Sequence, residues 1–534
     1  MLNLKPFSDF RKEVSSLLAR RSRAITNIID ALCTADNAKS PVQLSLSASF
    51  EGHYSNITKA IDKFRLNMKR YHKLISGSVK SVTWQEGSPA CYLLAVDATP
   101  LERKYARTLE DRTIIHKPNV VKGKPISIGH SYSQVVSIPS ATRGPSPWVI
   151  PISVRRIKST QLGHVVGMEQ IKDLINDDML PFKDAVTVCL GDSAYSSTNS
   201  LMTAKDDLAK NLVLGVRIKG DRKAYRRFTG SNSPNHPKWY GDELVLNDPD
   251  SHFPCDLSVQ FYEKTTTRGE IKNVVSIWKN IIFKGARDFC SYDYPCTLLR
   301  MVSYRKNGKR VFEKPLWIAF YGKRRDEISP FNLAEAYPNR FKIEHFFKFI
   351  KQNMLMNSFQ TPDVSHEESW VKILQLAYLQ LYKARTIAQD FLHPWERYLP
   401  KKLPECEMSP KKVQQYFYKI YKSLRETTSK PIPRGRVSGR RRGAAQKKRT
   451  RHKVIVKKKI EKKPQEDSAP PLEKLFDKSM ASTNNAKTPT GTAKRVNSGF
   501  RNKPESAKPQ GYCPKPLFPK HIFHDTHIPC SQSP

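Results

Sequence analysis

Apolar residues recur at steps of three and four residues from Phe7 to Leu32 and from His53 to Leu74, with Arg and Lys between them. This spacing places the apolar side chains along one face of a helix, so residues 1–85 are predicted to be helical. The opposite face of these helices carries positive charge. Two interpretations stay open: a domain that contacts an anionic partner, or a helical brace for the rest of the chain.

Short apolar runs that end in an acid begin at Cys91. CYLLAV (91–96) is followed by Asp97, and AVTVCLG (185–191) is followed by Asp192. Apolar runs of this length, bounded by polar residues, are typical of buried strands, so each acid is predicted to lie at the carboxyl end of a strand. The surrounding pattern predicts strands over residues 124–138, 148–157 and 211–218, and helices over residues 163–178 and 199–210.

Aromatic and β-branched residues then alternate with polar ones, which predicts a β-rich insertion over residues 219–331. The strands predicted within it include residues 273–278, 297–304, 309–314 and 315–321. Helical periodicity returns over residues 332–428. The pattern as a whole predicts an α/β protein in which a helical domain (1–85) precedes a core divided between residues 86–218 and 332–428, and a tail (429–534) follows.

Positive charge is concentrated toward the C-terminus. Residues 430–463 hold 16 Lys and Arg against one acid, and the chain of 534 residues has a formal net charge of +43. Charge of this size is unfavourable unless an anion meets it, and a DNA or RNA backbone is the anion that fits best. The first interpretation of the basic helical domain over residues 1–85 is therefore a DNA-binding domain. Residues 464–534 are rich in Pro, Ser, Thr, Asn and Lys, and they are predicted to be largely disordered because they bury too little apolar area to offset their ordering entropy.

Composition also disfavours several other classes of protein. The N-terminus lacks the charged and then apolar layout of a signal peptide, and no apolar stretch is long enough to span a bilayer. The nine cysteines include no C-x-x-C pair, which argues against a disulfide framework and against a zinc ribbon. A cytoplasmic protein with no membrane role is therefore expected.

Asp97 and Asp192 together form a candidate metal site. Ligands of open sheets bind beyond the carboxyl ends of the strands, where both acids are predicted to lie. Either aspartate alone is well explained as an ordinary turn residue. A pair of carboxylates, however, offers the oxygen ligands that Mg²⁺ prefers.

A third acid lies in AYPNRFKIEHFFKFIKQNM (336–354), which is predicted to be a helix. Four of its residues fall within roughly 60° of one another at about 100° per residue: Tyr337, Arg340, Glu344 and Lys351. A separate apolar stripe would seat the helix on a core, and it consists of Ile343, Phe347, Ile350 and Met354. A solvated helix face with a Glu344–Lys348 ion pair explains the spacing equally well.

The chain resembles bacterial insertion-sequence transposases of the IS-four-like group, whose signature is Y-(2)-R-(3)-E-(6)-K. The four residues on the predicted helix face match this signature at every spacing. The sequences around the acids are also similar, with AVDATPL around Asp97, GDSAY around Asp192 and RFKIEHFFKFIKQ around Glu344. The resemblance covers about residues 85–390, and it implies an RNase H-like catalytic core that is interrupted by a β insertion.

The resemblance also implies a role for each of these residues. Asp97, Asp192 and Glu344 would carry out catalysis and hold two divalent metal ions, Mg²⁺ or its substitute Mn²⁺. Tyr337, Arg340 and Lys351 would contact DNA phosphates near the scissile bond. Trp317, about twenty residues before Tyr337, is placed like a tryptophan on which family members stack a flipped base, although a strand Trp is more often a core residue.

The implied activity is divalent-metal-dependent cleavage at transposon ends, followed by strand transfer into target DNA. A homodimer on DNA, cytoplasmic and associated with the nucleoid, would carry it out. A catalytically inactive or repurposed transposase that only binds nucleic acid would fit the charge equally well, but the presence of all three acids and all four signature residues speaks against it. An RNase H-like nuclease without strand transfer is a second rival, and inverted repeats beside the gene would disfavour it.

Overall fold

A mixed sheet of twelve strands runs through the part of the chain that the structure describes. The structure, a computed structural model, describes residues 3–456 except for positions 36, 85–87, 118–124, 140–145, 231–237, 266–268, 286–289, 398–406, 425–429, 431, 434–438, 440 and 446–447. The strands are β1 Tyr92–Glu102, β2 Thr113–His116, β3 Ile126–Ser137, β4 Ile150–Ile157, β5 Thr187–Gly191, β6 Leu212–Ile218, β7 Lys223–Arg227, β8 Tyr240–Val245, β9 Leu257–Thr265, β10 Gly269–Phe283, β11 Cys296–Arg305 and β12 Leu316–Tyr321.

Neighbouring strands follow the order β2-β3-β1-β5-β6-β12-β11-β10-β7-β8, with β4 also paired to β3 and β9 also paired to β10. β5 is parallel to both of its neighbours, β1 and β6. The three strands are buried on both faces over most of their length, which explains their nearly unbroken apolar runs. Their carboxyl ends therefore point toward one edge of the sheet.

Two helices form the layer beside these parallel strands, α5 Gly163–Ile175 and α6 Thr198–Leu208. α6 connects β5 to β6, as parallel pairing requires. α5 packs on β1, β3 and β4, and α6 packs on α5 and β6. The mixed arrangement of strands and helices confirms the expected α/β class.

The β-rich segment after β6 continues the same sheet, because β12 pairs with β6 in antiparallel orientation. The strand expected over residues 309–314 is wrong, since this stretch contributes only an isolated bridge between Tyr304 and Arg310. Four of its six residues are charged. The chain also turns at Gly308, where φ is +76°. Few apolar side chains are therefore available to hold this stretch on the sheet.

Helices also lie before and after the sheet: α1 Lys5–Ser16, α2 Ser22–Thr34, α3 Ser55–Lys63, α4 Met68–Ser76, α7 Pro330–Ala336, α8 Phe341–Asn353, α9 Val364–Ala384, α10 Pro394–Arg397 and α11 Pro410–Ser423. α2 packs against α9 and α11. The buried Asp30 of α2 forms an ion pair with Arg11 and accepts a hydrogen bond of 2.8 Å from Gln380 Nε2 of α9. The first helices thus share a core with the last ones. No described helix is both long and apolar enough to cross a membrane.

A buried ionic network fixes α9 to the sheet through Glu367. Its carboxylate accepts hydrogen bonds from Arg103 Nε at 2.6 Å, from His130 Nδ1 at 2.7 Å and from the Tyr132 hydroxyl at 2.8 Å. The side chains of Glu367, Arg103 and His130 are fully buried. Buried charge is costly unless it is paired and hydrogen-bonded, and this carboxylate has three donors.

Part of the basic tail contacts the loop before β2 and the first residue of that strand. The backbone N–H groups of His452 and Ile455 donate to the carbonyls of Arg107 at 2.9 Å and Arg112 at 2.8 Å. The Thr113 hydroxyl donates to Ile455 O at 2.9 Å, and Thr113 and Ile455 form a parallel bridge. The tail therefore meets the sheet through one isolated bridge at the start of its β2 edge. The stretch expected to be disordered, residues 464–534, lies outside the described residues.

Candidate active site

Asp97 lies within β1, and the strand continues for five residues beyond it to Glu102. The expectation that the strand ends at Asp97 is therefore wrong. The reason is the long antiparallel partner β3, which pairs with β1 as far as Glu102 opposite Gly129. The parallel partner β5 pairs with β1 only through Ala95. Asp97 thus lies beside the point where β5 ends.

Asp192 directly follows β5, as the sequence predicts. Its side chain accepts a hydrogen bond of 2.9 Å from the backbone N–H of Ala194, and it thereby caps the short 3-10 helix that follows. Because Ala95 and Leu190 are paired across β1 and β5, Asp97 and Asp192 each lie two residues further along adjacent strands. The two acids are therefore level with each other at the carboxyl edge of β5.

The segment that carries the third acid is not one continuous α-helix, contrary to expectation. A 3-10 turn over Tyr337–Arg340 separates α7 from α8. Pro338 accounts for this change, because proline lacks the N–H that a helical ladder requires. The first two signature residues precede α8, whereas Glu344 lies in its first turn and Lys351 in its last. The apolar stripe is confirmed, since all its members are buried: Ile343, Phe347, Ile350 and Met354.

Arg340 joins two of the three acids. Its Nη1 lies 3.3 Å from Asp97 Oδ2, and its Nη2 donates to Glu344 Oε1 at 2.7 Å. The Arg340 side chain is 9% exposed, whereas the Glu344 side chain is 48% exposed. The two ion pairs bring a strand residue and a helix residue to the same place.

Charges at this edge of the sheet act on one another. Burial raises the pKa of Asp97 to about 6; the charge of Arg340 lowers this pKa, and the charges of Asp192 and Glu344 raise it. Burial lowers the pKa of Lys351 to about 8, and the charge of Asp97 opposes that effect. Interactions of this kind act over a few ångströms. Three carboxylates and two cations are therefore gathered at one site.

Tyr337 is buried, and its hydroxyl donates a hydrogen bond of 3.0 Å to the carbonyl of Gly191. Burial raises the pKa of Tyr337 to about 12, so the hydroxyl keeps its proton at neutral pH. Gly191 is the last residue of β5 and directly precedes Asp192. The signature tyrosine therefore fixes the backbone that carries the second acid.

Two further residues near Asp192 were missed by reasoning from the sequence. Tyr195 is buried against Gly167 of α5, where an added Cβ would come within 2.7 Å of the tyrosine ring. His164, in the first turn of α5, interacts with the charge of Asp192, which opposes the lowering of the His164 pKa by burial. The sequence GDSAY contained a signal for Tyr195, but no spacing pointed to His164.

The donor set suits a hard divalent cation, because carboxylate oxygens are the ligands that Mg²⁺ prefers. Among the described residues, no three acidic, histidine or cysteine side chains are already arranged as a metal site. Arg340 instead lies between Asp97 and Glu344. Glu344 is the acid with the freedom to adjust, since about half of its side chain faces solvent.

Trp317 lies on β12 opposite Ile218, at the carboxyl end of β6, and it is 2% exposed. Its ring packs against Trp278 at 5.6 Å and edge-on against His252 at 5.5 Å. Trp317 and His252 also border a cavity of about 520 Å³. Its lining has more cations than acids: Arg217, Lys219, Arg300, Arg310 and Lys314 against Asp221 and Glu313. The tryptophan is therefore a core residue at the wall of a basic cavity.

Two protein-family profiles match the chain. The first is described as DDE superfamily endonuclease and covers residues 13–268, which include Asp97 and Asp192. The second is described as Transposase DDE domain and covers residues 163–380, which include Asp192 and Glu344. Together the two matches span all three acids. None of the curated proteins matches the chain.

Proposed function

Since the chain is a nuclease-type enzyme with a DDE transposase domain, we propose that it cuts DNA at transposon ends and transfers the freed 3′ ends into target DNA. The observation that carries this proposal is the meeting of Asp97, Asp192 and Glu344 at one edge of the sheet, two of them joined through Arg340. The spacing of the four signature residues supports membership of the IS-four-like group within the wider class.

We assign catalysis to the three carboxylates, which would hold two divalent ions, Mg²⁺ or Mn²⁺. Such ions, when bound, activate the attacking oxygen and stabilise the leaving oxygen of an in-line displacement. Asp97 lies on a strand that β3 pairs along one side as far as Glu102, and Asp192 lies in a capped turn. These two acids would keep their positions, and the half-exposed Glu344 would complete the set.

We propose that Arg340 and Lys351 bind the phosphates that flank the cut. Arginine has five N–H donors, so Arg340 can contact a phosphate oxygen while it keeps one carboxylate partner. With a pKa of about 8, Lys351 still carries its charge at neutral pH. We assign Tyr337 a different role from the one implied by resemblance, because its hydroxyl is already used to hold Gly191.

Trp317 would act at the cavity it borders. The basic lining fits a nucleotide that has been displaced from the duplex, with the base near the aromatic wall and the phosphate near the cations. A shift of His252 or of the loop that carries it would be needed to open the ring face, since the ring is 2% exposed.

We also propose that the enzyme works as a homodimer on DNA, in the cytoplasm and at the nucleoid, because both ends of an element must be handled together. The basic helices before residue 85 and the basic tail would add contacts to the DNA backbone, which depend on charge and not on sequence.

The test is an assay with labelled duplex DNA from the ends of the encoding element, a target plasmid and Mg²⁺. We expect the wild-type protein to cut at the element end and to join that end to the plasmid. Asp97→Asn, Asp192→Asn and Glu344→Gln should each abolish both products while DNA affinity stays within about twofold. Lys348→Ala, a change on the exposed face of α8, serves as the control.

The outcomes separate the proposed function from its rivals. Binding to end DNA without any cut product would favour an inactive or repurposed transposase. A cut product that is never joined to the plasmid would favour a nuclease without strand transfer. An aspartate variant that cuts at the wild-type rate would remove that residue from the site.

A further inference from the structure

Three strands of the β-rich segment project past the edge of the sheet where the acids lie. β12 begins near Ile218, the carboxyl end of β6, and it pairs with β11 only as far as Met301. β11 continues to Arg305 and stays paired with β10, which is paired in turn with β9. The ends of β9, β10 and β11 therefore extend beyond the carboxyl edge that carries Asp192.

The two faces of this projection differ. Along β10, the odd-numbered residues from Ile271 to Ile277 are buried, and the even-numbered residues from Glu270 to Ser276 are exposed or half-buried. Phe261 of β9 shares the buried face and packs edge-on against Phe331 of α7 at 5.4 Å. One face is thus occupied by the helix that leads into the signature turn, and the other faces outward.

A row of two tyrosines and a lysine crosses the outward face. Lys272 of β10 is paired with Tyr262 of β9 on one side and with Tyr304 of β11 on the other. Tyr262 is 61% exposed, and the other two side chains are half-buried. Residues directly opposite each other on adjacent strands have neighbouring side chains on the same face. A cation therefore lies between two phenol rings.

The row belongs to a shallow cleft with excess positive charge. The cleft measures about 540 Å³, and Arg305 and Lys306 also line it. Glu270 contributes one negative charge against these three cations. A ligand of this cleft should therefore be anionic and should present flat apolar faces to the rings.

We propose that this row binds an unpaired DNA strand, with bases stacked on Tyr262 and Tyr304 and with phosphates near Lys272, Arg305 and Lys306. Adjacent strands are about 4.8 Å apart, so Tyr262 and Tyr304 are about 10 Å apart across the row. Each ring can stack one base, and Lys272 between them can meet the phosphate that joins the two bases. The inference rests on the proposed function, because cleavage at an element end releases a strand that can lose its partner beside this edge of the sheet.

The test is binding of a short single-stranded oligonucleotide that contains 2-aminopurine, in EDTA, so that no cleavage occurs. Stacking quenches the fluorescence of this base. We expect Tyr262→Ser and Tyr304→Ser each to weaken binding at least about fivefold and to reduce the quenching. Tyr262→Phe and Tyr304→Phe should bind as the wild type does, because stacking needs the ring and not the hydroxyl.

Tyr418→Ser is the matched control, since Tyr418 also lies beside a lysine, Lys422, but on α11. It should leave binding and quenching unchanged. Lys272→Ala should lower the salt dependence of single-strand binding by about 0.7 in the slope of log K against log salt. Thermal unfolding and binding to a fully paired duplex report whether a serine variant is folded.

Serine variants that bind and quench as the wild type does would overturn the proposal, as would equal losses of single-strand and duplex binding. If the wild-type protein cuts end DNA and the serine variants bind single strands equally well, the transposase function stands and the row does not bind an unpaired strand. If the wild-type protein never cuts but the serine variants lose single-strand binding, the row binds an unpaired strand and the transposase function is contradicted.

Discussion

The guanidinium of Arg340 lies 3.3 Å from the carboxylate of Asp97, across 243 residues of sequence. Arg340 thereby links the turn before α8 to the middle of β1, and it holds Glu344 with its other nitrogen. Asp97 is largely buried and is influenced by two further acids. The cation therefore has both a structural and an electrostatic effect on the site.

Arg340→Ala is expected to reduce both cleavage and stability. It removes the cation that contacts Asp97 directly and leaves Lys351 as the remaining signature cation beside three carboxylates. Removal of one partner of a buried ion pair costs about 3–5 kcal/mol. Because Glu344 is half exposed, we expect a loss near the lower end of that range. Urea unfolding in EDTA measures the loss. A variant with wild-type stability but slower cleavage would show that Arg340 acts on DNA alone.

Lys351 and Lys348 offer a matched comparison on α8. Lys351 is partly buried and interacts with Asp97, whereas Lys348 is exposed. We expect Lys351→Ala to weaken binding to cleavage-site DNA and to slow cutting, since a misplaced phosphate loses in-line alignment. Lys348→Ala should change neither property. Equal damage from both substitutions would mean that the charge of the helix matters and the signature position does not.

Tyr337→Phe distinguishes a positioning role from a phosphate contact. The substitution keeps the ring and leaves the Gly191 carbonyl without its donor, which costs about 1–3 kcal/mol. We expect slower cleavage with unchanged affinity for end DNA, because the backbone before Asp192 loses its support. Fluorescence anisotropy and a single-turnover cleavage assay measure the two effects. A clear loss of affinity would instead favour the phosphate contact that the resemblance implies.

Glu367 predicts how stability depends on acid. Burial alone would raise the pKa of Glu367, but the hydrogen bond from His130 and the charge of Arg103 hold it below its ordinary value of 4.5. A lowered native pKa means that the unfolded chain binds the proton first, so this stabilisation is complete above about pH 4.5 and is lost as the pH falls through the native pKa.

Glu367→Gln should therefore unfold about 3–5 kcal/mol more easily at pH 7, because Arg103 is left buried without a counter-charge. The difference from the wild type should shrink as the pH falls below about 4.5 and through the lowered native pKa of Glu367, as measured by urea unfolding. Glu368→Gln is the control, since the carboxylate of Glu368 pairs with Arg156 but is 39% exposed. The same pH dependence in both variants would exclude the buried network as its source.

Local patterns predicted much of the fold. The apolar run before Asp192 became β5, and residues 148–157 contain β4, because short apolar runs fit few positions other than a sheet. The length of β1 could not be predicted in this way. It depends on the partner β3, and nothing within residues 91–96 shows how far that partner reaches.

The candidate site was predictable as a set of residues but not as a set of contacts. Spacing gave Arg340 and Glu344 as neighbours, and the structure has them 2.7 Å apart. The bonds from Arg340 to Asp97 and from Tyr337 to Gly191 join residues more than a hundred positions apart, and they result from tertiary packing. Pro338 indicates a break in the helix, because proline disrupts a helical ladder, but an unbroken helix was expected there.

The bridge between Thr113 and Ile455 has a consequence for how the chain is made. On a ribosome, Thr113 at the start of β2 is synthesised more than three hundred residues before Ile455, so this end of the outer β2 edge lacks its partner for most of translation. An unpaired strand edge is a template for pairing with other chains. We therefore expect a product that ends before His452 to aggregate more readily than the full chain, whatever became of its catalytic groups.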